Sequence, residues 1–301
     1  MKDLTSLRCS DGVSPLKRVA AIHDISCFGR CALTVILPTL SAMGVQAVPL
    51  PTCLLSSHTG GFTDLYFEDL TPSMEKISDH FDRLDVKFDA IYTGFLGNDG
   101  QIERVRSFID RFAAKDTFVA VDPVMGDDGE LYSTYTPELM RGMARLCEGA
   151  DIITPNLTEA CFLTDTPYID TAKMSAAELV AFGNELCDKL LALGAESVVL
   201  TGLRFGTDKL CVCGKRRDDK ELFIHTFPRV DKSYPGTGDV FTSVLLGALL
   251  RGEDFEEAII QACGFVSRAM KYSARFDYAE REGIAFEAFL GELTPPSPML
   301  D

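Results

Sequence analysis

Short apolar runs alternate with amphipathic stretches along nearly the whole chain. Residues 18–23 read as a strand. Residues 31–43 read as a helix stopped by Gly44, since glycine readily takes the left-handed conformation that ends helices. The alternation continues with strands at 45–50, 88–93, 117–121, 151–153 and 197–200. Helical spacing runs through 72–84, 99–114, 137–147, 158–163, 175–193, 237–250 and 255–272. In 99–114, Ile102, Val105, Phe108, Ile109 and Phe112 fall on one face, as a helix half-packed on a core requires. Segments 210–213 and 221–227 predict a hairpin whose tip carries Lys215, Arg216 and Arg217 followed by Asp218 and Asp219.

Repeated strand–helix units predict an α/β fold: a mostly parallel central sheet with helices on both faces, in three layers. No linker or composition shift divides the chain, so 1–301 reads as a single domain, with 1–16 and 294–301 as loose tails. In such sheets ligands bind outside the carboxyl ends of the strands. The polar residues that follow strands are therefore the ones to inspect: His23 and Asp24, Ser57 to Thr59, Gly94 and Phe95, Asp122, Thr154 to Asn156, Thr201, and the loop before Val240.

Composition narrows the function. A net charge of −16 opposes duplex nucleic acid and anionic membrane surfaces, and no basic stripe offsets it. No apolar run is long enough to span a bilayer, and the first residues lack the apolar core of a secretory signal. The ten cysteines include no CxxC pair, and the four histidines show no metal-ligand spacing. A cytoplasmic protein with no nucleic-acid or membrane partner is the expectation.

The sharpest chemical signal is Pro235-Gly236-Thr237-Gly238-Asp239, directly before an apolar helix. Two glycines permit close backbone approach, and a helix start offers unpaired N–H groups and a positive dipole end, which together form an anion site. Asp239 in that first turn is either a helix cap or a general base beside a phosphate being transferred. A P-loop is absent, because Gly214-Lys215 is followed by Arg216. A dinucleotide fingerprint is absent too, because Phe241 stands where the third glycine belongs. That argues against a nicotinamide-dependent oxidoreductase.

Asp122 ends a buried strand, where a carboxylate needs a cation or loop amides as partner. In Thr154-Pro155-Asn156-Leu157-Thr158-Glu159, Asn156 and Glu159 have the spacing of a helix capping box. The same two residues are also able to face a phosphate and a hydrated metal.

Asp-Pro-Val-Met-Gly at 122–126, Thr-Pro-Asn-x-x-Glu at 154–159 and Gly-Thr-Gly-Asp at 236–239, in this order, resemble the ribokinase-like superfamily. The closer resemblance is to its pyridoxal/pyridoxine/pyridoxamine kinase branch, from about residue 18 to about 270. Leu55 to Gly60 is similar to that family's Ser-Asn-His-Thr segment, and Tyr92 to Gly97 to its Ser/Thr-Gly-Tyr segment. The resemblance implies a kinase that moves the ATP γ-phosphate to the 5′-hydroxymethyl group of a vitamin B6 vitamer. It assigns the catalytic segment to Gly236, Thr237, Gly238 and Asp239, with Asp239 as base. It places Thr154, Asn156 and Thr201 at the nucleotide. It gives Asp122 and Glu159 to Mg²⁺, leaves room for a monovalent cation such as K⁺, and predicts a homodimer. Thr59, Phe95, His58 and Asp24 fall at the substrate ring. Asp24 departs from the family, which carries serine there, and this leaves the preferred alcohol open. For His58 a purely structural hydrogen-bonding role is equally open. Hydroxymethylpyrimidine kinase of thiamine biosynthesis and a non-catalytic B6-binding paralogue are the alternatives.

Overall fold

The computed structural model describes residues 16–295. The tails read at 1–16 and 294–301 lie outside the described residues, apart from Leu16, Thr294 and Pro295.

The first half of the chain runs β1 (Arg18–Ile22), β2 (Ile25–Phe28), α1 (Leu33–Ala42), β3 (Gln46–Pro49), β4 (Cys53–Ser57), β5 (Phe67–Asp69), α2 (Thr71–Arg83), β6 (Ala90–Thr93), α3 (Gly100–Phe112) and β7 (Phe118–Val121). A two-stranded ribbon, β8 (Gly126–Asp127) and β9 (Glu130–Leu131), precedes α4 (Pro137–Cys147), β10 (Ile152–Ile153), α5 (Leu157–Leu163) and α6 (Ala176–Ala192). Then come β11 (Ser197–Phe205), β12 (Lys209–Arg216), β13 (Phe223–Pro228), α7 (Thr237–Leu250) and α8 (Phe255–Ser273).

Eight strands form the main sheet in the order β13-β12-β11-β10-β7-β6-β1-β3. The strands from β3 to β11 pair in parallel, and β12 and β13 add an antiparallel edge. Residues of β6 and β7 are buried on both faces, as a parallel strand between two helical layers requires. One layer packs α1, α7 and α8 on the sheet around Leu40, Leu245 and Phe265. The other packs α3 to α6 around Ile102, Leu139 and Leu186. Helix α7 is buried from Val240 to Leu250, which explains why it is apolar on every side. The expected three-layer α/β architecture is present. No described helix is long and apolar enough to cross a membrane.

Periodicity did not reveal a second sheet, β2-β4-β5, in which β2 and β4 run parallel. Its strands are three to five residues long, and β5 is exposed along its whole length. Strand β11 also runs five residues beyond the expected 197–200, passing a register shift between Leu200 and Leu203 where Gly202 has φ +79°. Among the described residues the cysteines are free, and all but Cys27 are buried.

Candidate active site

The carboxyl ends of β1, β6, β7 and β10 meet the first turns of α7. Gly236 caps that helix with φ +77°. A Cβ there would lie 2.0 Å from the carbonyl oxygen of Arg30, so glycine alone fits. Thr237 donates its hydroxyl to the Tyr234 carbonyl (3.2 Å). Gly238 is exposed, and the position of a Cβ on it is 3.9 Å from Asp122 Oδ2. The glycine turn and the strand-end carboxylate are thus brought together.

Asp239 lies in the first turn of α7 with its side chain 15% exposed. Its Oδ2 accepts the backbone N–H of Ala32 at 2.8 Å. Ala32 has φ +50°, an uncommon conformation for a residue with a side chain, and it precedes α1. Burial pushes the Asp239 carboxyl up to about 7; the Ala32 N–H opposes this and the nearby Asp24 charge adds to it. The carboxylate is therefore not spent on capping its own helix, which has no side-chain cap. Of the two roles open to Asp239, the cap is not the one observed.

Asp24 follows β1 and is 5% exposed. Its Oδ2 accepts the Ser26 hydroxyl at 2.8 Å, and burial raises its carboxyl to about 6. It belongs to the same group as Asp239, whose ionisation it opposes. Phe95, after β6, is half-buried; its ring centroid lies 6.4 Å from that of Tyr135, and its carbonyl accepts from the Thr52 hydroxyl. Thr59 is half-buried in the segment after β4. His58, next to it, spends both ring nitrogens on backbone partners: Nδ1 accepts from Gly60 N–H (3.0 Å), so Nε2 donates to the Arg281 carbonyl (2.6 Å). Its ring also fills the space a Cβ of Gly29 would need.

Asp122 and Glu159 are 5% and 3% exposed. Burial, with Glu159 and Asp239 nearby, pushes the Asp122 carboxyl well above its usual value, and burial raises Glu159 likewise. Glu159 Oε2 accepts the Asn156 N–H (2.8 Å), and Asn156 Oδ1 accepts the Glu159 N–H (2.9 Å). The capping box is therefore present. Glu159 Oε1 also accepts from Met125 N–H, and Asn156 Nδ2 donates to the Gly126 carbonyl, fastening the 122–130 loop over α5. Thr154 Oγ1 accepts from the Thr242 hydroxyl at 3.1 Å. Thr201 bridges to Asn156 across the sheet end, and its N–H donates to the Pro155 carbonyl.

Among the described residues no cluster of three or more His, Cys, Asp or Glu side chains is arranged to hold a metal by itself. Two buried carboxyls, with the ionisation of Asp122 opposed by burial and by the nearby Glu159 and neither at ion-pair distance from a cationic side chain among the described residues, nevertheless fit a hydrated divalent cation. Mg²⁺ commonly takes one or two carboxylates and completes its shell with water and phosphate.

Two features of the site carry no sequence motif. One is the Ala32 amide, supplied by a backbone conformation. The other is the 281–283 segment, beyond the stretch of resemblance: Arg30 N–H donates to the Glu282 carbonyl at 3.1 Å, and His58 holds Arg281.

A family model described as Phosphomethylpyrimidine kinase matches residues 33–283. A Bacteroides thetaiotaomicron protein assigned as a phosphomethylpyrimidine kinase, solved in an orthorhombic form with pyridoxal, is 40% identical. The match covers 94% of this chain and 98% of that one, with a TM-score of 0.87. Pyridoxal kinase of Dictyostelium discoideum is 27% identical over 252 residues, 78% of each chain. Hydroxymethylpyrimidine/phosphomethylpyrimidine kinase of Salmonella typhimurium is 28% identical over 247 residues, 80% of this chain and 86% of that one.

Proposed function

The chain belongs to the phosphomethylpyrimidine kinase family, and from that premise we propose that it transfers the ATP γ-phosphate to the 5′-hydroxymethyl group of a vitamin B6 vitamer. The observation that carries the reading is Asp239: a carboxylate fixed by the Ala32 N–H at the start of α7, with its pKa pushed up to about 7, where a base works best near neutral pH. The relative solved with pyridoxal, similar over nearly the whole chain, supports the choice of vitamer class.

In this reading Asp239 accepts the proton of the acceptor hydroxyl as its oxygen attacks phosphorus. The amides from Gly236 to Asp239 donate to phosphate oxygens on which charge redistributes. Asp122 and Glu159 would hold Mg²⁺, which would supply charge neutralisation to the phosphates. Thr154, Asn156 and Thr201 line the nucleotide side, and a monovalent cation such as K⁺ fits the hydroxyl and carbonyl groups there. Asp24, Thr59 and Phe95 contact the ring, and His58 holds Thr59 in place through its backbone bonds. The β12–β13 hairpin borders the adenine. A single domain, homodimeric and cytoplasmic, completes the reading.

Asp24 sharpens the question of acceptor. A carboxylate accepts hydrogen bonds and donates none unless protonated, so it favours a ring that presents a hydroxyl, an amino group or a protonated nitrogen. Hydroxymethylpyrimidine, with its amino group, meets the same requirement and is the second acceptor to test. The deciding assay offers ATP-Mg²⁺ with pyridoxal, pyridoxine, pyridoxamine and hydroxymethylpyrimidine in parallel. Turnover of a vitamer that Asp239→Asn lowers about 10²–10⁴-fold, with ATP binding kept, is expected. A folded protein that binds ATP and phosphorylates only hydroxymethylpyrimidine, or none of the four, defeats the B6 reading.

A further inference from the structure

His23, directly after β1, is fully buried, and neither ring nitrogen has a hydrogen-bond partner among the described residues. The ring is held in place by its surroundings. Tyr92 meets it edge-on at a centroid distance of 4.3 Å, and a Cβ on Gly94 would lie 2.3 Å from Cε1 and 2.5 Å from Nδ1. Burial lowers its pKa to about 3, so the imidazole is neutral and carries one N–H. An N–H buried without an acceptor is destabilising, a cost which a leucine of similar size would avoid. The carboxylate nearest the ring is Asp239, with Oδ1 3.9 Å from Nδ1.

We infer that His23 is a positioning residue for Asp239: its Nδ1–H is directed at Oδ1 and closes to a hydrogen bond when Asp239 is ionised. The inference rests on the reading of Asp239 as base. Ala32 N–H already fixes Oδ2. A second donor on Oδ1 fixes the plane of the carboxylate and favours its charged form. Each carboxylate oxygen has two lone-pair sites, so Oδ1 accepts the His23 N–H on one side and the acceptor hydroxyl on the other. The hydroxyl proton ends on Asp239, and His23 keeps its own proton throughout. Among the described residues the other titratable groups around this pair include Asp24, Cys31, Tyr92, Asp122 and Tyr132, the last also raised by Asp239. Asp24 raises Asp239, and Asp239 in turn raises Cys31, Tyr92 and Asp122. A neutral donor opposite Asp239 works against that acidic surrounding.

The test compares His23→Leu, His23→Asn and His23→Gln. The asparagine amide sits near the place of Nδ1, and the glutamine amide near that of Nε2. For kcat/KM of the best acceptor at saturating ATP-Mg²⁺, the acid limb is expected to move up by about one pH unit in His23→Leu, the size of one charge-assisted hydrogen bond. It stays within about 0.3 unit of the parent in His23→Asn. Should His23→Leu fail to fold, the Asn–Gln pair gives the same contrast. Superimposed acid limbs in Leu, Asn and parent, or equal fractional losses at every pH, overturn the inference. A second readout needs no turnover. In ¹⁵N-histidine spectra of the free protein, the signal absent from His23→Asn is expected to be the Nδ1–H tautomer and to shift in Asp239→Asn; an Nε2–H tautomer overturns the proposal. If Asp239→Asn keeps full turnover, the base reading fails, while the tautomer still reports on His23.

Discussion

The backbone N–H of Ala32 lies 2.8 Å from Oδ2 of Asp239, and it reaches there because Ala32 has φ +50°. A side chain at the start of one helix is thus anchored by the peptide that precedes another, across more than two hundred positions of chain. Strain of about 1–3 kcal/mol at Ala32 is stored to aim one N–H. Such strain persists where the surrounding packing over-determines it, and Ala32 is buried.

The raised carboxyl of Asp239 has a kinetic consequence. A base must be ionised to take a proton, and this one protonates near 7. In the free enzyme, kcat/KM for the alcohol is expected to fall about tenfold per unit below about pH 7. A pH–rate profile in which the limb lies at the ordinary carboxylate range would refute the assignment.

It has a thermodynamic consequence as well. Asp239 binds its proton more tightly folded, near 7, than unfolded, near 3.8. The folded state therefore holds more protons between those values, and stability declines as pH rises through that window. Asp239→Asn is expected to be more stable than the parent at about pH 8 by about 1–3 kcal/mol, and equal to it below about pH 4. Thermal melts at the two pH values check this.

Two glycines with similar backbone angles separate strain from collision. Gly252 has φ +85° with nothing among the described residues within 4 Å of a Cβ, whereas at Gly236 a Cβ meets the Arg30 carbonyl at 2.0 Å. Gly252→Ala is expected to cost about 1 kcal/mol of stability and leave turnover unchanged. Gly236→Ala is expected to lose about 10²-fold or more in kcat, because moving the turn displaces Asp239. Equal effects in paired assays would contradict the role given to the turn.

Asp122→Asn removes one of two mutually repelling buried carboxylates. The Mg²⁺ concentration for half-maximal turnover is expected to rise about 10–100-fold, with the melting temperature of the metal-free protein unchanged or higher. A magnesium titration in which the variant overlays the parent would remove Asp122 from the metal.

Asp24→Ser tests the ring. Its carboxyl protonates near 6, so at neutral pH it is an ionised acceptor only. The substitution is expected to change the ratio of kcat/KM for pyridoxal and hydroxymethylpyrimidine by about tenfold or more. An unchanged ratio would place Asp24 away from the ring.

The inner strands of the main sheet were legible because they are apolar and buried: Phe118–Val121 stood out between Thr117 and Asp122. The long helices were legible from spacing, as in Gly100–Phe112. Strands β2, β4 and β5 were not, since Ile25–Phe28 and Phe67–Asp69 are short, partly exposed and defined only by partners distant in sequence. At the site, Gly236 to Asp239 and Asp122 announced themselves through residue type and position after a strand. The capping box of Asn156 and Glu159 was also readable from spacing. What the residues did not disclose was orientation. Ala32 contributes an amide that every residue but proline has. The approach of His23 to Asp239 exists only once β1 and α7 are packed.

The bonds from Arg30 and His58 to Glu282 and Arg281 bear on how the protein comes into being. The loops behind Asp24 and Thr59 are synthesised before the backbone groups that secure them, which lie more than two hundred positions further along the chain. A nascent chain that ends after α7 already owns its glycine turn and Asp239, the proposed base, but not the clasp that steadies the loops behind Asp24 and Thr59. Products truncated before residue 281 therefore leave these loops unsecured, even when every residue of the proposed chemistry is present.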